Sequence, residues 1–272
     1  VTGLMPNTRV LGSVLFLPDR GRAIIDTASA SGLPLAPDPR DPWAATSRGT
    51  GELVVEAVRQ GVREVWLGVG GSGCTDGGRG AVEAILDGGG LGNATLKVLC
   101  DVRTVYEDAP RTFGPQKGAD PAVVAALERR LDDYASSLPR DPRGIPGSGA
   151  AGGLAGGLWE QFGATLSSGI EEIIKLLALR DKLSEVDLVV TGEGQLDQQT
   201  AQGKVIAGVL AMCAGAVPVH AVVGRTRLTR TEAHELGLDS IQVASTAAQI
   251  TCAGSRIAAL PREATSPPHG LG

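Results

Sequence analysis

Residues 65–81 read VWLGVGGSGCTDGGRGA. A short apolar run ends in Gly70, Gly71 and Ser72, and Asp76 follows before two more glycines. Backbone N–H groups in such a turn, between a strand and a helix, point unpaired donors at an anion. The serine hydroxyl adds another donor. The chemistry this suggests is capture of a phosphate or a carboxylate. GVGGSG also meets the G-x-G-x-x-G spacing of dinucleotide-binding turns through Gly68, Gly70 and Gly73. That spacing stands alone, because no convincing ribose-binding acid follows about 20 residues on, so a nicotinamide-dependent dehydrogenase gains little from it. The P-loop pattern G-x-x-x-x-G-K-[ST] does not occur.

Four carboxylates sit in or beside loops expected at strand ends: Asp76, Asp101, Glu193 and Asp197. Each could hold Mg²⁺ together with substrate phosphates, or accept the proton of a substrate hydroxyl. The competing role for each is a helix cap or turn carboxylate, and Asp76 stands at a helix start where that role fits well. Asp101, at the end of an apolar strand, is harder to explain structurally. Two lysines could neutralise an anion. Lys117 lies in FGPQKGAD, a compact polar turn before a helix. Lys204 follows a glycine at a helix start, where a cation opposes the helix dipole unless an anion sits there too. For both, the plainer alternative is a solvated surface lysine. His220, His234 and His269 share no ligand spacing, and G-x-S-x-G is absent, so neither a zinc site nor a Ser-His-Asp triad is supported.

The elements that must position these residues follow from periodicity. Strands are expected at 9–17, 23–25, 65–69 and 96–102, with Asp101 near the end of the last. Helices are expected at 51–60 and 81–86. Asp120-Pro121 places a capping residue before a proline at the first helical position. Val124, Leu127, Leu131, Tyr134 and Leu138 then mark one face of that helix. Ser168-x-x-Glu171 reads as a capping box opening a helix to about residue 183. From 187 the alternation becomes regular. Strand 187–192 leads into the loop Gly192-Glu193-Gly194. Helix 203–214, strand 218–224, a helix capped by Thr229-x-x-Glu232, strand 240–244 and helix 246–259 follow. Such alternation implies an α/β fold with a parallel sheet covered on both faces and ligands bound beyond the carboxyl ends of its strands.

Composition narrows the function classes. Of 272 residues, 39 are glycine, roughly twice average usage, and they cluster rather than repeat. Clustered glycine marks tight turns and close backbone approach. At 42% hydrophobic the chain can bury a core, and at 3% aromatic it is poorly equipped for base stacking. The net charge of −5 arises from intermixed charges with no basic patch, so nucleic acid is not an expected partner. Cys74, Cys100, Cys213 and Cys252 form no C-x-x-C pair, as expected of reduced thiols in a cytoplasmic protein. No apolar run reaches the ~18 residues of a membrane span.

Seven segments, in this order, resemble the bacterial glycerate kinase family: TSRGTGELVVEAV (46–58), GVGGSGCTDGGRG (68–80), CDV (100–102), FGPQKGAD (113–120), GSGAAGGLAGGL (147–158), LSSGI (166–170) and DLVVTGEGQLDQQTAQGKV (187–205). The last is the most specific. The resemblance implies ATP-dependent phosphorylation of D-glycerate with Mg²⁺, in organic-acid metabolism. It implies a flavodoxin-like parallel-sheet domain, incomplete here, carrying a second inserted α/β domain. On that reading residues 8–165 are the inserted domain, 166–260 the C-terminal half of the flavodoxin-like domain, and 261–272 a disordered tail. The expected site roles follow. Gly70, Gly71, Ser72, Asp76, Gln116, Gly152, Gly153 and Lys204 contact substrate or phosphate. Asp101, Lys117, Glu193 and Asp197 are catalytic, with Asp197 as general base, and Asp76 and Asp101 hold the metal. Glu193, Asp197 and Lys204 form the opposite wall of the cleft. The family's leading segment, with its Asp-Ser-Phe-Lys-Gly-Ser-like motif, has no counterpart in this chain. Two expectations follow: an active kinase, or a truncated, catalytically inert member that retains at most weak ligand binding. The resemblance leaves a homodimer open.

Overall fold

The computed structural model describes residues 1–196 and 205–260. Two compact units divide the chain, one from Val1 to Gly169 and one beginning at Ile170.

The first unit is built on a five-stranded sheet. Its strands are β1 (Val14–Leu17), β2 (Arg22–Asp26), β3 (Glu64–Gly68), β4 (Thr95–Leu99) and β5 (Thr165–Ser167), hydrogen-bonded in that order. Strand β1 runs antiparallel to β2, and all other pairs are parallel. The helices between them are α1 (Ala28–Ser31), α2 (Arg48–Arg59), α3 (Arg79–Asp87), α4 (Ala109–Phe113), α5 (Pro121–Ser137) and α6 (Leu154–Phe162). Strand order follows chain order without reversal. Right-handed crossovers then put the connecting helices on one face of the sheet. In agreement, α2 packs on α3 and α3 on α6. The core lies on that face, where Ala23, Ile25, Val65, Leu67, Leu96 and Val98 meet residues of these helices such as Leu53, Ile85 and Leu154.

The opposite face of this sheet is covered differently, by long side chains. On the other face Trp66 is only 2% exposed. Its ring lies under the Arg22 guanidinium at 3.8 Å and near the Lys97 ammonium at 4.9 Å. Glu64 pairs with both cations, at 2.6 and 3.8 Å, and fixes them over the ring. The first expected strand is also shorter than its apolar pattern. Val14 begins β1, while Arg9 makes only an isolated bridge to Thr2. A Cβ at Gly12 would lie 2.7 Å from Leu53, so the segment before β1 serves close packing on α2.

The second unit holds β6 (Val189–Leu196), β7 (Val219–Thr226) and β8 (Ser240–Val243), parallel and in chain order. With them are α7 (Gly169–Leu176), α8 (Val205–Cys213), α9 (Arg230–Glu235) and α10 (Ala247–Ala258). Ile174, Leu196, Ile206, Met212, Val219, Ala221, Val223 and Leu238 form its core. The Thr229–Glu232 capping box is present as expected, and Thr246–Gln249 forms another. Helix α7 stops well short of residue 183. Ala178 takes φ +49°, and Asp181–Glu185 forms a short 3-10 helix. Gly192, Glu193 and Gly194 lie inside β6, not in a loop beyond it, with Gly192 opposite Val222 and Glu193 opposite Val223. The continuous ladder to β7 carries the pairing through these glycines. Asp197, Lys204 and the tail from 261 lie outside the described residues.

Candidate active site in the loop after strand β3

Strand β3 is buried along its centre, so its carboxyl end emerges from the core at a fixed point. The loop from Val69 to Gly78 starts there. Val69 donates to the Leu99 carbonyl of the neighbouring strand at 3.4 Å. On the other side, Gly73 N–H donates to the Ser31 carbonyl and Leu33 N–H to the Gly71 carbonyl, both at 2.8 Å. These bonds pin the loop at both ends of its tip. At the tip, Gly70 and Gly71 are exposed and Ser72 is half-buried. Gly71 takes φ +66°, which favours glycine. Among the described residues, the N–H groups of Gly70, Gly71 and Ser72 donate to no protein acceptor. They form a set of free donors at the carboxyl end of a parallel strand, where an anion is well received.

Lys117 lies behind this tip. Its 3-10 turn, Pro115–Lys117, ends at Gly118 with φ +95°. The side chain is 5% exposed. Nζ donates to the Cys74 carbonyl in a short contact, and to Ser72 Oγ and Thr75 Oγ1, each at 3.4 Å. Burial pulls its pKa below the ordinary lysine value, while Cys74 and Asp76 act to raise it. Burial also pushes the Cys74 thiol up to about 12, so it behaves as a packing residue and not as a nucleophile. A solvated surface lysine is therefore not what Lys117 is. It is a buried cation held by neutral oxygens directly under a loop of free N–H donors.

Asp76 has the structural job that its place at a helix start suggests, beside the metal-holding role expected of it. It is 4% exposed. Oδ2 accepts from Ser47 N–H and Ser47 Oγ, both at 2.8 Å, from Gly80 N–H at 3.3 Å and from Thr46 Oγ1 at 3.4 Å. Oδ1 accepts from Gly78 N–H at 3.1 Å. Ser47 Oγ in turn accepts from Ala81 N–H at 3.0 Å. The carboxylate thus ties the start of α2 to the start of α3, and both its oxygens are engaged. Most of these bonds converge on Oδ2, while Oδ1 accepts one. Asp101, its expected partner, is exposed and accepts from Ser168 Oγ at 3.1 Å. Among the described residues, no group of three or more His, Cys, Asp or Glu side chains is placed to hold a metal ion. Such a cluster is not what a magnesium ion carried by substrate phosphates needs, since one or two carboxylates suffice there.

The expectation for Gly152 and Gly153 is corrected. Both are buried, with φ of +67° and +89°. A Cβ at Gly152 would lie 2.3 Å from the Cys74 carbonyl, and one at Gly153 would lie 2.8 Å from the Tyr106 ring. Gly152 accepts from Gly77 N–H at 3.0 Å. These glycines brace the loop from behind and leave no room for substrate. Gln116 is exposed beside Lys117, and its carbonyl accepts from Arg40 at 2.7 Å. Thr75, Ser47 and Tyr106 were missed as parts of the site. Tyr106 is fully buried and donates from its hydroxyl to the Gly77 carbonyl at 3.2 Å. The TSRGTG segment carries a signal for Ser47, since a serine before a helix is a cap. Nothing local marks Tyr106. Glu193 belongs to the second unit, and Asp197 and Lys204 lie outside the described residues.

Comparison with known proteins gives a consistent result. The profile of the glycerate kinase family matches residues 1–87 and 89–262. Glycerate 2-kinase of Escherichia coli (strain K12) is 35% identical, with 82% of this chain and 68% of that protein covered. Glycerate kinase of Bacillus subtilis (strain 168) is 34% identical over the same shares, 82% and 68%. Among solved structures, a provisionally assigned glycerate kinase 2 from Salmonella typhimurium LT2 aligns with a TM-score of 0.67 and 30% identity. That alignment covers 92% of this chain and 83% of the other.

Proposed function

The chain belongs to the glycerate kinase family, and we propose that it transfers the γ-phosphoryl group of ATP to a hydroxyl of D-glycerate, in the organic-acid metabolism of the cytoplasm. One observation carries the reading to particular residues: the buried Lys117 ammonium under the free N–H groups of Gly70, Gly71 and Ser72. Phosphoryl transfer asks a protein for positioning and charge neutralisation more than for covalent chemistry. The loop N–H groups and the Ser72 hydroxyl would grip either the glycerate carboxylate or the migrating phosphoryl oxygens. Lys117, held against Ser72 Oγ, would neutralise negative charge as it spreads over those oxygens. Asp76, Gly152 and Gly153 would keep the loop in the shape that aims its donors outward. Asp197 is the proposed general base for the acceptor hydroxyl, and Glu193 and Lys204 are proposed to act from the second unit.

The test is a coupled ADP-release assay on the chain with ATP, Mg²⁺ and D-glycerate, with the product identified by ³¹P NMR. Glycerate-dependent ADP release is expected, and the product spectrum identifies which hydroxyl is phosphorylated. A folded chain that releases no ADP in response to glycerate would overturn the assignment. Asp197→Ala in an active chain should lose turnover; full turnover would remove Asp197 from the role of base.

A further inference from the structure

A cavity of about 490 Å³ opens between the start of α3, the helix α5 and the loop carrying Trp43. It shares only Asp76 with the loop site described above, and Lys117 and residues 70–75 do not line it. Three arginines do: Arg79, Arg129 and Arg130. Two are held in place by rings. Arg130 donates to the Trp43 carbonyl at 2.7 Å and lies 5.0 Å from the centre of the Trp43 ring. Arg79 lies 5.8 Å from the centre of the Tyr134 ring and pairs through Nε with Glu83 at 2.8 Å, leaving its two terminal nitrogens unengaged. The side chain of Arg129, one residue before Arg130 on α5, makes no hydrogen bond or ion pair among the described residues.

Opposing charges are few. The Asp76 carboxylate in the wall already accepts from Ser47, Gly78 and Gly80, so its charge is met by fixed dipoles. Asp133 is the remaining acid in the lining. Guanidinium groups anchored on aromatic faces present forked donors that suit oxyanions, phosphate above all. The volume is that of a pocket for a small metabolite, and the Trp43 and Tyr134 rings supply apolar wall beside the charges.

We propose that this cavity binds a small phosphate monoester or free phosphate, as a second anion site independent of the loop after β3 and of the kinase reading. The site lies within one unit and rests on three guanidiniums, two rings and an open cavity together.

Trp43 provides the readout, being 51% exposed in the cavity wall while Trp66 is buried. The chain is titrated with inorganic phosphate and with glycerol 2-phosphate, following Trp43 fluorescence, with Trp43→Phe as the control for the source of the signal. Saturable quenching by both probes is expected. Arg129→Ala should weaken binding about tenfold, the loss of one charge-assisted contact. Asp133→Asn should tighten it by roughly threefold through removal of a like charge. Lys117→Met should leave this signal unchanged, which separates it from anion binding at the loop. The proposal is overturned by a signal that does not saturate, by one that survives Trp43→Phe, or by Arg129→Ala binding as tightly as the unaltered chain. Saturation by succinate with none by phosphate would also overturn it, marking a dicarboxylate site instead.

Discussion

Replacing Lys117 with methionine separates the catalytic role of this side chain from its place in the packing. Methionine preserves the length and volume of the buried stem. It removes one cation and the donor to three oxygens: the Cys74 carbonyl, Ser72 Oγ and Thr75 Oγ1. For stability the effects oppose one another. Leaving a buried carbonyl without its donor costs about 1–3 kcal/mol. Removing an ammonium that is 5% exposed relieves the desolvation that lowers its pKa. The net change should stay within about 2 kcal/mol, or a melting shift of a few degrees for a chain of this size. For catalysis the effects do not cancel. A preorganised donor aimed at transition-state charge contributes about 10²–10³ in turnover. The expected outcome is a hundredfold or greater fall in kcat with a nearly unchanged melting curve, from coupled ADP release and circular dichroism on the same preparation. A Lys117→Met chain that keeps kcat within about threefold of the original would refute the argument that the buried cation serves the reaction.

Four further outcomes follow from the same geometry. Asp76→Asn should lower stability by about 3 kcal/mol, since charge-assisted bonds are worth roughly 1.5–3 kcal/mol and an amide nitrogen would face donors; its dependence on magnesium concentration should be unchanged, and an altered magnesium dependence with unchanged melting would mark Asp76 as a metal ligand. Gly152→Ala should destabilise by about 2 kcal/mol or more, because φ is +67° and the new Cβ would lie 2.3 Å from the Cys74 carbonyl. Gly70→Ala meets no atom within 4 Å and should melt normally, so any rise in its KM reports a ligand at the loop; equal melting losses in both variants would count against this division. Turnover should fall with rising pH before the ordinary lysine range, as Lys117 loses its proton. The folded pKa is depressed, so between it and the unfolded value of 10.5 the unfolded chain binds more protons, and this group's contribution to stability rises with pH while activity falls. An alkaline limb that survives Lys117→Met would assign the titration to another group.

Where the sequence was legible, one local rule acted alone. Asp120 before Pro121 caps α5, accepting from Val123 N–H at 2.8 Å, and Thr229–Glu232 closes its box. Of the face expected on α5, Leu127 and Leu131 are buried as the spacing requires. The pattern failed where glycine did two jobs. No element was expected over the glycine-rich residues 147–158, yet α6 begins at Leu154, and its Gly156 and Gly157 let the helix approach Tyr106 and Gly77 closely. Composition cannot distinguish a glycine that clears space for a ligand from one that clears space for a neighbouring backbone. Gly70 and Gly152 look alike in sequence, and only the structure shows one exposed and the other buried against Cys74. The three-residue β5 carried no periodic signal, because its place depends on pairing with β4.

The same ambiguity governs the charges, and its resolution explains how the loop could work. Asp76 and Lys117 are both buried beside residues 72–78, and a direct ion pair would have been the economical way to bury them. The structure does not pair them. Asp76 takes its donors from the starts of α2 and α3, and Lys117 takes its acceptors from Ser72, Cys74 and Thr75. Paired, the two charges would cancel at the loop tip and leave little field for a ligand. Held apart by neutral dipoles, the carboxylate is quenched by N–H groups while the ammonium, facing only neutral oxygens, keeps its field at Ser72. An arriving anion is then the charge partner that the protein withholds, and its binding should raise the Lys117 pKa from its depressed value. Proton uptake on ligand binding at alkaline pH, measured by calorimetry in buffers of different ionisation enthalpy, should accompany phosphate or glycerate binding to the unaltered chain and vanish in Lys117→Met. Binding without that uptake would mean that the ligand's charge is met elsewhere.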